Sequence, residues 1–415
     1  MAVLSFVSCP LYLNRDKFFS SSKIRHAKRC TNQFVPISMR AASNVLVVGG
    51  TGRVGTETIK ALTRLSSQQL NITISGRNER RAQSLCHTLR STAPAHRFDF
   101  VPCDITQIES LTSLFEPFDL VVHTAGPFQR KENPDALLNA AMQTNVKYMD
   151  VCDDLSHAVA CKQLHEQAVS RGYSALISTG IYPGLSNLMA ADACQSIDHV
   201  HSLKLYYHTA GTGGIGATIL ASTFLILSEA AVCYANGDQQ LRPPAGDAEV
   251  LDFGGRIGRK TTYLLNLPEV TSLHNIVAPN ANVFAKFSTA PPIWNWLLLA
   301  TAKLVSPSIL SNRDAMLKFS RFSLPIVRFV DQLSGARTGM VVVAEGRNTH
   351  IQFSFEHESL AACVGEATAA FAYELLNSKS IPPGVHFPEE LNNDVRKNII
   401  KNASLTANFC EKKRL

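Results

Sequence analysis

A glycine-rich turn is the first place in the sequence where residue types and spacing suggest chemistry. In VVGGTGRVG, Gly50, Gly52 and Gly55 follow an apolar run directly and have the spacing G-x-G-x-x-G. Glycines so spaced permit a tight strand-to-helix turn, a close approach of the backbone to a pyrophosphate, and tight packing of the helix on the sheet. Phosphates there would also meet the unpaired N–H groups of a helix N-terminus. The residues assigned to this dinucleotide-binding turn are Gly49, Gly50, Thr51, Gly52, Arg53, Val54 and Gly55.

The residues that end the second predicted strand, Asn71 to Ser75, indicate which dinucleotide binds. An Asp or Glu at this point would bind the adenosine ribose hydroxyls and repel a 2′-phosphate, but the sequence has Arg77 instead. A guanidinium can bind the 2′-phosphate and stack on adenine, and Arg80 and Arg81 would add positive charge. The alternative is that Arg77 is a solvated surface residue. The segment predicts NADP(H), bound through Ser75, Gly76, Arg77 and Asn78.

Two further predicted strands extend this site. Phe98 to Val101 is the third strand, and Asp104 just after it would face the adenine. Leu120 to His123 is the fourth strand and leads into the small-residue loop TAGP. The nicotinamide end of a cofactor lies at such a loop, at the carboxyl edge of the sheet. The residues assigned to this end are Ala125, Gly126 and Pro127.

The composition is that of an ordinary globular protein, with 45% hydrophobic residues among 415. The net charge of +7 lies mostly in residues 1–43, which hold seven Lys or Arg and one acid and are rich in serine. This composition predicts a transit peptide and a plastid (chloroplast stroma) location; the alternative is an uncleaved basic tail on a cytoplasmic protein. The remainder carries almost no net charge, so we expect no nucleic-acid partner.

Two apolar segments and the cysteines bound the function further. Residues 215–227 and 294–305 are too short for a stable membrane span and are interpreted as buried helices; the alternative is contact with a membrane surface. The ten cysteines form no CxxC and no Cys/His pairing at metal-ligand spacing, so we expect a reducing compartment and no metal. A homodimer stays open.

Two motifs carry a family resemblance. GIYPGLSNLMA (180–190) and VGEATAAFAYELLNSKSIPPGVHFPEEL (364–391) resemble segments of the saccharopine dehydrogenase-like family. YMDVCDD (148–154) and YYHTAGTGG (206–214) resemble the plant and bacterial branch of that family, so the chain resembles a plant plastid-type member. The resemblance covers residues 44 to about 391. It implies an α/β fold in which a Rossmann-type doubly wound parallel sheet is interrupted by an α/β substrate domain with antiparallel strands. It also implies hydride transfer between NAD(P) and a C=N carbon of a small-molecule substrate.

The composition of residues 1–43 and the resemblance of the remainder together predict four segments. These are a transit peptide or disordered segment (1–43), an NADP-binding Rossmann domain (44–200), a substrate domain (201–360), and a return to the Rossmann domain with a C-terminal tail (361–415). Within the substrate domain, Arg337 to Glu345 and Thr349 to Glu356 predict an antiparallel hairpin. Saccharopine itself calls for several converging arginines, whereas the only dominant basic motif here is GRIGRK (255–260), so the substrate stays open.

The catalytic candidates follow from the implied reaction, which needs one acid/base group beside the nicotinamide. Asp153 is assigned as acid/base or iminium stabiliser, and Tyr182 in the GxxPG turn as a substrate contact. The alternative for Asp153 is a helix N-cap. Cys152 is interpreted as a buried small residue, and His208 as a structural histidine.

The function predicted is an NADP-dependent oxidoreductase that acts on CH–NH or C=N bonds, or on a related carbonyl centre. One alternative is a non-catalytic NADP-binding redox sensor or assembly protein. A second is a short-chain dehydrogenase or epimerase, but none of the nine tyrosines is followed four residues later by the lysine those enzymes use.

Overall fold

The computed structural model describes residues 42–126, 128, 132–210 and 216–415. Residues 1–41 of the predicted transit peptide lie outside the described residues, and so does Pro127. The described residues form sixteen strands. In chain order they are β1 Ser43–Val48, β2 Leu70–Gly76, β3 Arg97–Pro102, β4 Leu120–His123, β5 Lys147–Asp150, β6 Ser174–Leu176, β7 Val200–Ala210, β8 Ala231–Ala235, β9 Asp238–Arg242, β10 Glu249–Asp252, β11 Arg259–Leu264, β12 Asn282–Ala290, β13 Arg337–Gly346, β14 His350–His357, β15 Gly384–His386 and β16 Phe409–Arg414.

Fourteen α-helices lie in the same described ranges. They are α1 Arg53–Leu65, α2 Glu79–Thr92, α3 Leu111–Phe115, α4 Ala136–Gln143, α5 Leu155–Lys162, α6 His165–Ser170, α7 Leu185–Gln195, α8 Ala217–Leu227, α9 Pro268–Ile276, α10 Ile293–Leu304, α11 Pro307–Leu310, α12 Arg313–Ser334, α13 Leu360–Asn377 and α14 Asn393–Ala403. Two short 3₁₀ turns add to them, Ile108–Ser110 and Pro388–Glu390.

The first sheet is parallel throughout and has the strand order β15-β6-β5-β4-β1-β2-β3. Its central strand β1 is apolar on both faces because helices cover both. Side chains alternate along the strand, so Val45 and Val47 pack into the core with α1, whereas Leu46 and Val48 pack into a second core with α3 and α4. The doubly wound parallel sheet that the sequence predicts is confirmed.

The second sheet is mixed. Its order is β10-β11-β12-β7-β13-β14-β16, and β8 pairs with β12 and β9. Strands β7 and β12 run parallel, and the other neighbours run antiparallel. Strands β13 and β14 form the predicted hairpin, with Val341 opposite Ser354. The α/β second domain with antiparallel strands is therefore confirmed.

The chain returns to the first sheet after β14. Helix α13 packs on α1 so closely that a Cβ at Gly365 would lie 2.6 Å from the backbone carbon of Glu57, and Arg64 binds Glu366 at 3.0 Å. Strand β15 then pairs with β6. The last residues form α14 and β16 rather than a tail, and β16 pairs with β14 in the second sheet.

Helix α10 corrects the prediction of a buried helix at residues 294–305. Trp296 is 68% exposed and Leu304 83%, and none of the helix residues is fully buried. One side of α10 packs on β12, and the other side faces outward. Both sides carry apolar residues, so composition alone does not tell the packed side from the exposed side. In contrast, α8 buries Ala221, Leu225 and Leu227. No helix within the described ranges has the length and hydropathy needed to cross a membrane.

Candidate cofactor cleft

The glycine-rich turn ties three strand ends together. Gly49 has φ +80°, and the N–H groups of Gly49 and Gly50 both donate to the Ser75 carbonyl at the end of β2, at 2.9 and 3.1 Å. A Cβ at Gly49 would lie 2.9 Å from the backbone nitrogen of Ala125, in the loop after β4. The turn requires glycine here for both its backbone conformation and its close neighbours.

Gly55 serves the approach of α1 to this turn. A Cβ at Gly55 would lie 2.6 Å from the carbonyl oxygen of Gly49 and 2.7 Å from the Thr124 hydroxyl. The helix begins at Arg53, and no side chain caps its first turn. Its first N–H groups therefore point from a glycine-lined cradle, an arrangement that fits the pyrophosphate of a dinucleotide.

A cleft of about 1190 Å³ runs from this turn along the carboxyl edge of the first sheet, with α8 and α12 of the second domain as its other wall. It brings together thirteen of the residues assigned from the sequence. These are Gly49, Thr51, Gly52, Arg53, Val54, Ser75, Gly76, Arg77, Asp104, Ala125, Gly126, Asp153 and Tyr182.

Four assigned residues remain, and three of them are described but do not line the cleft. Gly50 and Gly55 shape the turn from behind, as their contacts show. Asn78 is the N-cap of α2, where its side chain accepts a hydrogen bond from the N–H of Arg81 at 2.9 Å. The fourth, Pro127, lies outside the described residues.

One end of the cleft carries Arg77, Arg81 and Asp104. Asp104 is almost fully exposed and accepts hydrogen bonds from the N–H and hydroxyl of Thr106, which lower the pKa of its carboxyl. No acid stands at the end of β2, and Ser75 is buried with its carbonyl turned to the glycine turn. This end is therefore positively charged where an NAD-specific site carries a carboxylate.

Helix α12 adds three arginines that the sequence analysis missed. Arg313, Arg321 and Arg328 line the cleft along the length of this helix. These arginines are 8 and 7 positions apart, and each interval is close to two helical turns, so all three lie on one side of the helix. This spacing was the signal in the sequence that could have identified them. In contrast, no residue of GRIGRK lines the cleft, since this motif forms the turn between β10 and β11.

Asp153 and Tyr182 lie at the other end of the cleft, after β5 and β6. The N-cap of α5 is Asp154, whose side chain accepts a hydrogen bond from the N–H of His157 at 2.8 Å. The helix N-cap, which was the alternative role for Asp153, is therefore Asp154, and Asp153 lines the cleft.

Tyr182 joins the two domains. Its hydroxyl lies 3.0 Å from the Thr209 hydroxyl of β7 and 3.5 Å from that of Thr338 of β13, and its ring stacks on Tyr207 at 4.5 Å. Burial raises the pKa of Tyr182 to about 12. The phenol is therefore protonated at neutral pH and can donate or accept a hydrogen bond, but it is not a base.

Asp150 is a further residue that the sequence analysis missed. It is fully buried, accepts hydrogen bonds from the N–H groups of Cys152 and Ser178 at 3.1 and 2.8 Å, and accepts another from the Tyr148 hydroxyl at 3.2 Å. These bonds fix the segments after β5 and β6, which carry Asp153 and Tyr182. The signal available in the sequence was the first acid of YMDVCDD, Asp150, which is the last residue of β5.

Asp150, His157 and Cys161 also place possible metal-ligand atoms within 4.8 Å of one another. Both oxygens of Asp150 already accept hydrogen bonds, whereas neither ring nitrogen of His157 has a hydrogen-bond partner among the described residues. Cys152 is buried, and burial holds the pKa of its thiol well above its usual range, as expected of a small core residue. His208 is buried beside Phe253 and lies outside the cleft, and burial lowers its pKa to about 3.

Two buried carboxyl groups lie near the Tyr182 end without lining the cleft. Burial raises the pKa of Glu269 to about 7, and that of Glu389 to about 7 as well. The Asn187 side chain donates a hydrogen bond to Glu389 at 2.9 Å. Each carboxyl therefore retains its proton in a pH range where an exposed glutamate has lost it.

The fold and the cleft define a two-sheet α/β protein with a dinucleotide-binding domain. Residues 45–176 match the family model of the saccharopine dehydrogenase NADP binding domain. The described fold is similar to that of apo saccharopine dehydrogenase (L-Glu forming) from Saccharomyces cerevisiae, with a TM-score of 0.64, 14% identity, and coverage of 90% of this chain and 100% of that chain. Residues 45–176 thus match an NADP-binding domain, and the described fold is similar to that of saccharopine dehydrogenase. The predicted resemblance to the saccharopine dehydrogenase-like family and the NADP(H) cofactor are confirmed, while the plant plastid type stays a prediction.

Other solved structures are more distant. A probable dehydrogenase from Thermotoga maritima has a TM-score of 0.42, 11% identity, and coverage of 86% of this chain and 93% of that chain. An NADPH-bound short chain oxidoreductase from Pseudomonas aeruginosa has a TM-score of 0.26, 14% identity, and coverage of 32% and 70%. Similarities this low carry no argument about function. The chain matches no curated protein sequence.

Proposed function

We propose that this chain is an NADP(H)-dependent oxidoreductase that transfers a hydride at a C=N or C–N centre (an imine or secondary amine), or at a related carbonyl, of a small metabolite. The observation that supports this most directly is the single cleft that connects the glycine turn and Arg77 to Asp153 and Tyr182. A cofactor that lies along the cleft would place its two ends at these two groups of residues.

The roles of the residues follow from their chemistry. NADPH, when bound, supplies the hydride. Asp153 exchanges a proton with the substrate nitrogen or stabilises its positive charge. Tyr182 keeps its proton and orients the substrate by a hydrogen bond, while Thr209 and Thr338 hold its hydroxyl from the second sheet. Asp150 positions the loop that carries Asp153 and touches no substrate.

The neighbouring acids Asp153 and Asp154 provide a matched test. Replacement of Asp153 with Asn should lower kcat on an imine substrate by about a hundredfold, the usual contribution of an acid/base group, and leave NADPH affinity unchanged. Asp154→Asn should instead leave kcat and NADPH affinity close to those of the unmodified protein, because Asn caps a helix about as well as Asp. NADPH oxidation with a panel of imines and ketones, and NADPH titration, measure both.

Full activity of the Asp153→Asn variant would contradict the role of this residue. A protein that binds NADPH tightly and turns over none of the panel would instead support the non-catalytic sensor or assembly role.

We also propose that the protein acts in a plastid, on the basis of the composition of residues 1–43. The N-terminus of protein isolated from its native tissue should then begin between about residues 38 and 44. An intact N-terminal Met1 or Ala2 would contradict this location.

A further inference from the structure

Helix α12 has three distinct faces. Met316, Ser320 and Val327 are buried against the second domain. Phe319, Phe322 and Phe329 are exposed to solvent. Between these two sides, Arg321 and Arg328 point into the cofactor cleft. The two arginines are therefore solvent-exposed residues that face the cleft, not part of the helix core.

The arginines of α12 meet arginines of the first domain. Arg53, at the start of α1, and Arg81, at the start of α2, line the cleft together with Arg328. Burial is the largest cause of the lowered pKa of Arg53, and the positive charges of Arg328 and Arg81 lower this pKa further. The guanidinium of Arg53 is thus close enough to those of Arg328 and Arg81 to be repelled by both.

Nothing in the described part of the protein neutralises this charge at Arg53. Its Nη1 is buried with no hydrogen-bond partner among the described residues. Asp104, which lines the cleft nearby, uses its Oδ1 to accept both hydrogen bonds from Thr106. A buried guanidinium nitrogen without a partner, surrounded by like charges, requires an anion with several oxygens.

We propose that Arg328 binds the 2′-phosphate of NADP(H) from the second domain, opposite Arg77 and Arg81, and that Arg321 reinforces it from the same face of α12. This inference rests on the proposed function only in taking NADP(H) as the ligand, and no hydride transfer is needed to test it. The 2′-phosphate is a dianion with three acceptor oxygens, which suits several guanidinium groups converging from different sides. The second domain thereby contributes to the choice between NADP(H) and NAD(H).

The helix offers a matched control at Lys318, which is exposed on α12 and does not line the cleft. Titration of the full chain with NADPH and NADH would compare the unmodified protein with Arg328→Ala, Arg328→Lys and Lys318→Ala. We expect Arg328→Ala to weaken NADPH about tenfold and NADH less than twofold, in keeping with one charge-assisted hydrogen bond to phosphate. Arg328→Lys should retain part of the affinity, and Lys318→Ala all of it.

A second measurement separates binding from folding. Without cofactor, Arg328→Ala should unfold at the same temperature as the unmodified protein or higher, because it removes a charge that repels Arg53. Adenosine 2′,5′-bisphosphate should lose affinity in this variant, whereas adenosine 5′-diphosphate should not.

Three outcomes would overturn the proposal. The first is an NADPH affinity unchanged by Arg328→Ala, and the second is an equal loss for NADPH and NADH, which would place Arg328 on a part that both cofactors share. The third is a lower unfolding temperature of the cofactor-free variant together with equal losses, which would make Arg328 a structural residue. Absence of turnover would contradict the proposed function alone.

Discussion

Replacement of Glu389 with Gln should make the protein more stable at pH 8 than the unmodified chain, although it removes a charge. Glu389 is 3% exposed, and burial raises its pKa from 4.5 to about 7. Below pH 4.5 the carboxyl is protonated in both the folded and the unfolded chain. Between pH 4.5 and about 7 the unfolded chain loses this proton while the folded chain keeps it, so the free energy of unfolding falls as the pH rises.

The size of this effect follows from the pKa difference. The change from 4.5 to about 7 corresponds to a loss of about 3 kcal/mol, complete above pH 7. Gln carries no charge at any pH, and its side-chain oxygen can still accept the hydrogen bond that Asn187 donates. The stability of Glu389→Gln relative to the unmodified protein should therefore rise by about that amount from pH 4.5 to 8.

Urea unfolding at several pH values, followed by tryptophan fluorescence, measures the difference. The difference between the two proteins is needed because burial also lowers the pKa of His208 to about 3, which makes stability rise with pH below 6.5. The adjacent Glu390 is the control, since both its oxygens bind the Lys162 ammonium, at 2.8 and 2.6 Å. Glu390→Gln should lower stability at pH 8. A relative stability of Glu389→Gln that stays flat or falls with pH would refute the reasoning.

Three further predictions concern the cofactor domain. Arg77→Ala should weaken NADPH by roughly ten- to a hundredfold and leave NADH nearly unchanged, as titration would show; equal losses would remove Arg77 from the 2′-phosphate site. Gly55→Ala should abolish binding of both cofactors, because its Cβ would lie 2.6 Å from the Gly49 carbonyl oxygen; near-normal affinity in the same titration would mean that the turn adapts. Truncation after residue 360 should give insoluble protein, because it removes α13 and the strand β15 of the first sheet; a soluble NADPH-binding fragment 44–360 would contradict this.

The phosphate-binding part of the site could be read from the sequence because its determinants are local. Gly49 to Gly55 and Ser75 to Arg77 each belong to one strand end, and the fold rule for parallel sheets brings strand ends together. The sequence also identified the acidic segment after β5. It could not assign the separate roles of Asp150, Asp153 and Asp154. A shift of one position along the chain changes the direction of the side chain, and this direction decides whether a carboxylate is buried, lines a cleft or caps a helix.

The contribution of the second domain could not be predicted, because it depends on tertiary packing. Arg328 follows Arg53 by 275 positions, and only the packing of α12 against α8 brings it to the cleft. The prediction that WNWLLL lies in a buried helix was also wrong. Its apolar composition predicts burial, but composition does not show that only one side of α10 packs against the protein. Sequence separation and one-sided packing are the two physical reasons for these misses.

The last strand of the chain affects how the protein behaves at high concentration. Strand β14 carries the buried side chains Ile351, Phe353 and Phe355, and β16 forms hydrogen bonds along its free side. Without β16, an apolar strand would present unpaired N–H and C=O groups to any other chain, as in proteins that aggregate through their sheet edges. The outermost strand is instead the charged segment FCEKKR, whose Lys413 and Arg414 face solvent. The six residues of β16 thus protect the second sheet from edge-to-edge association with other molecules.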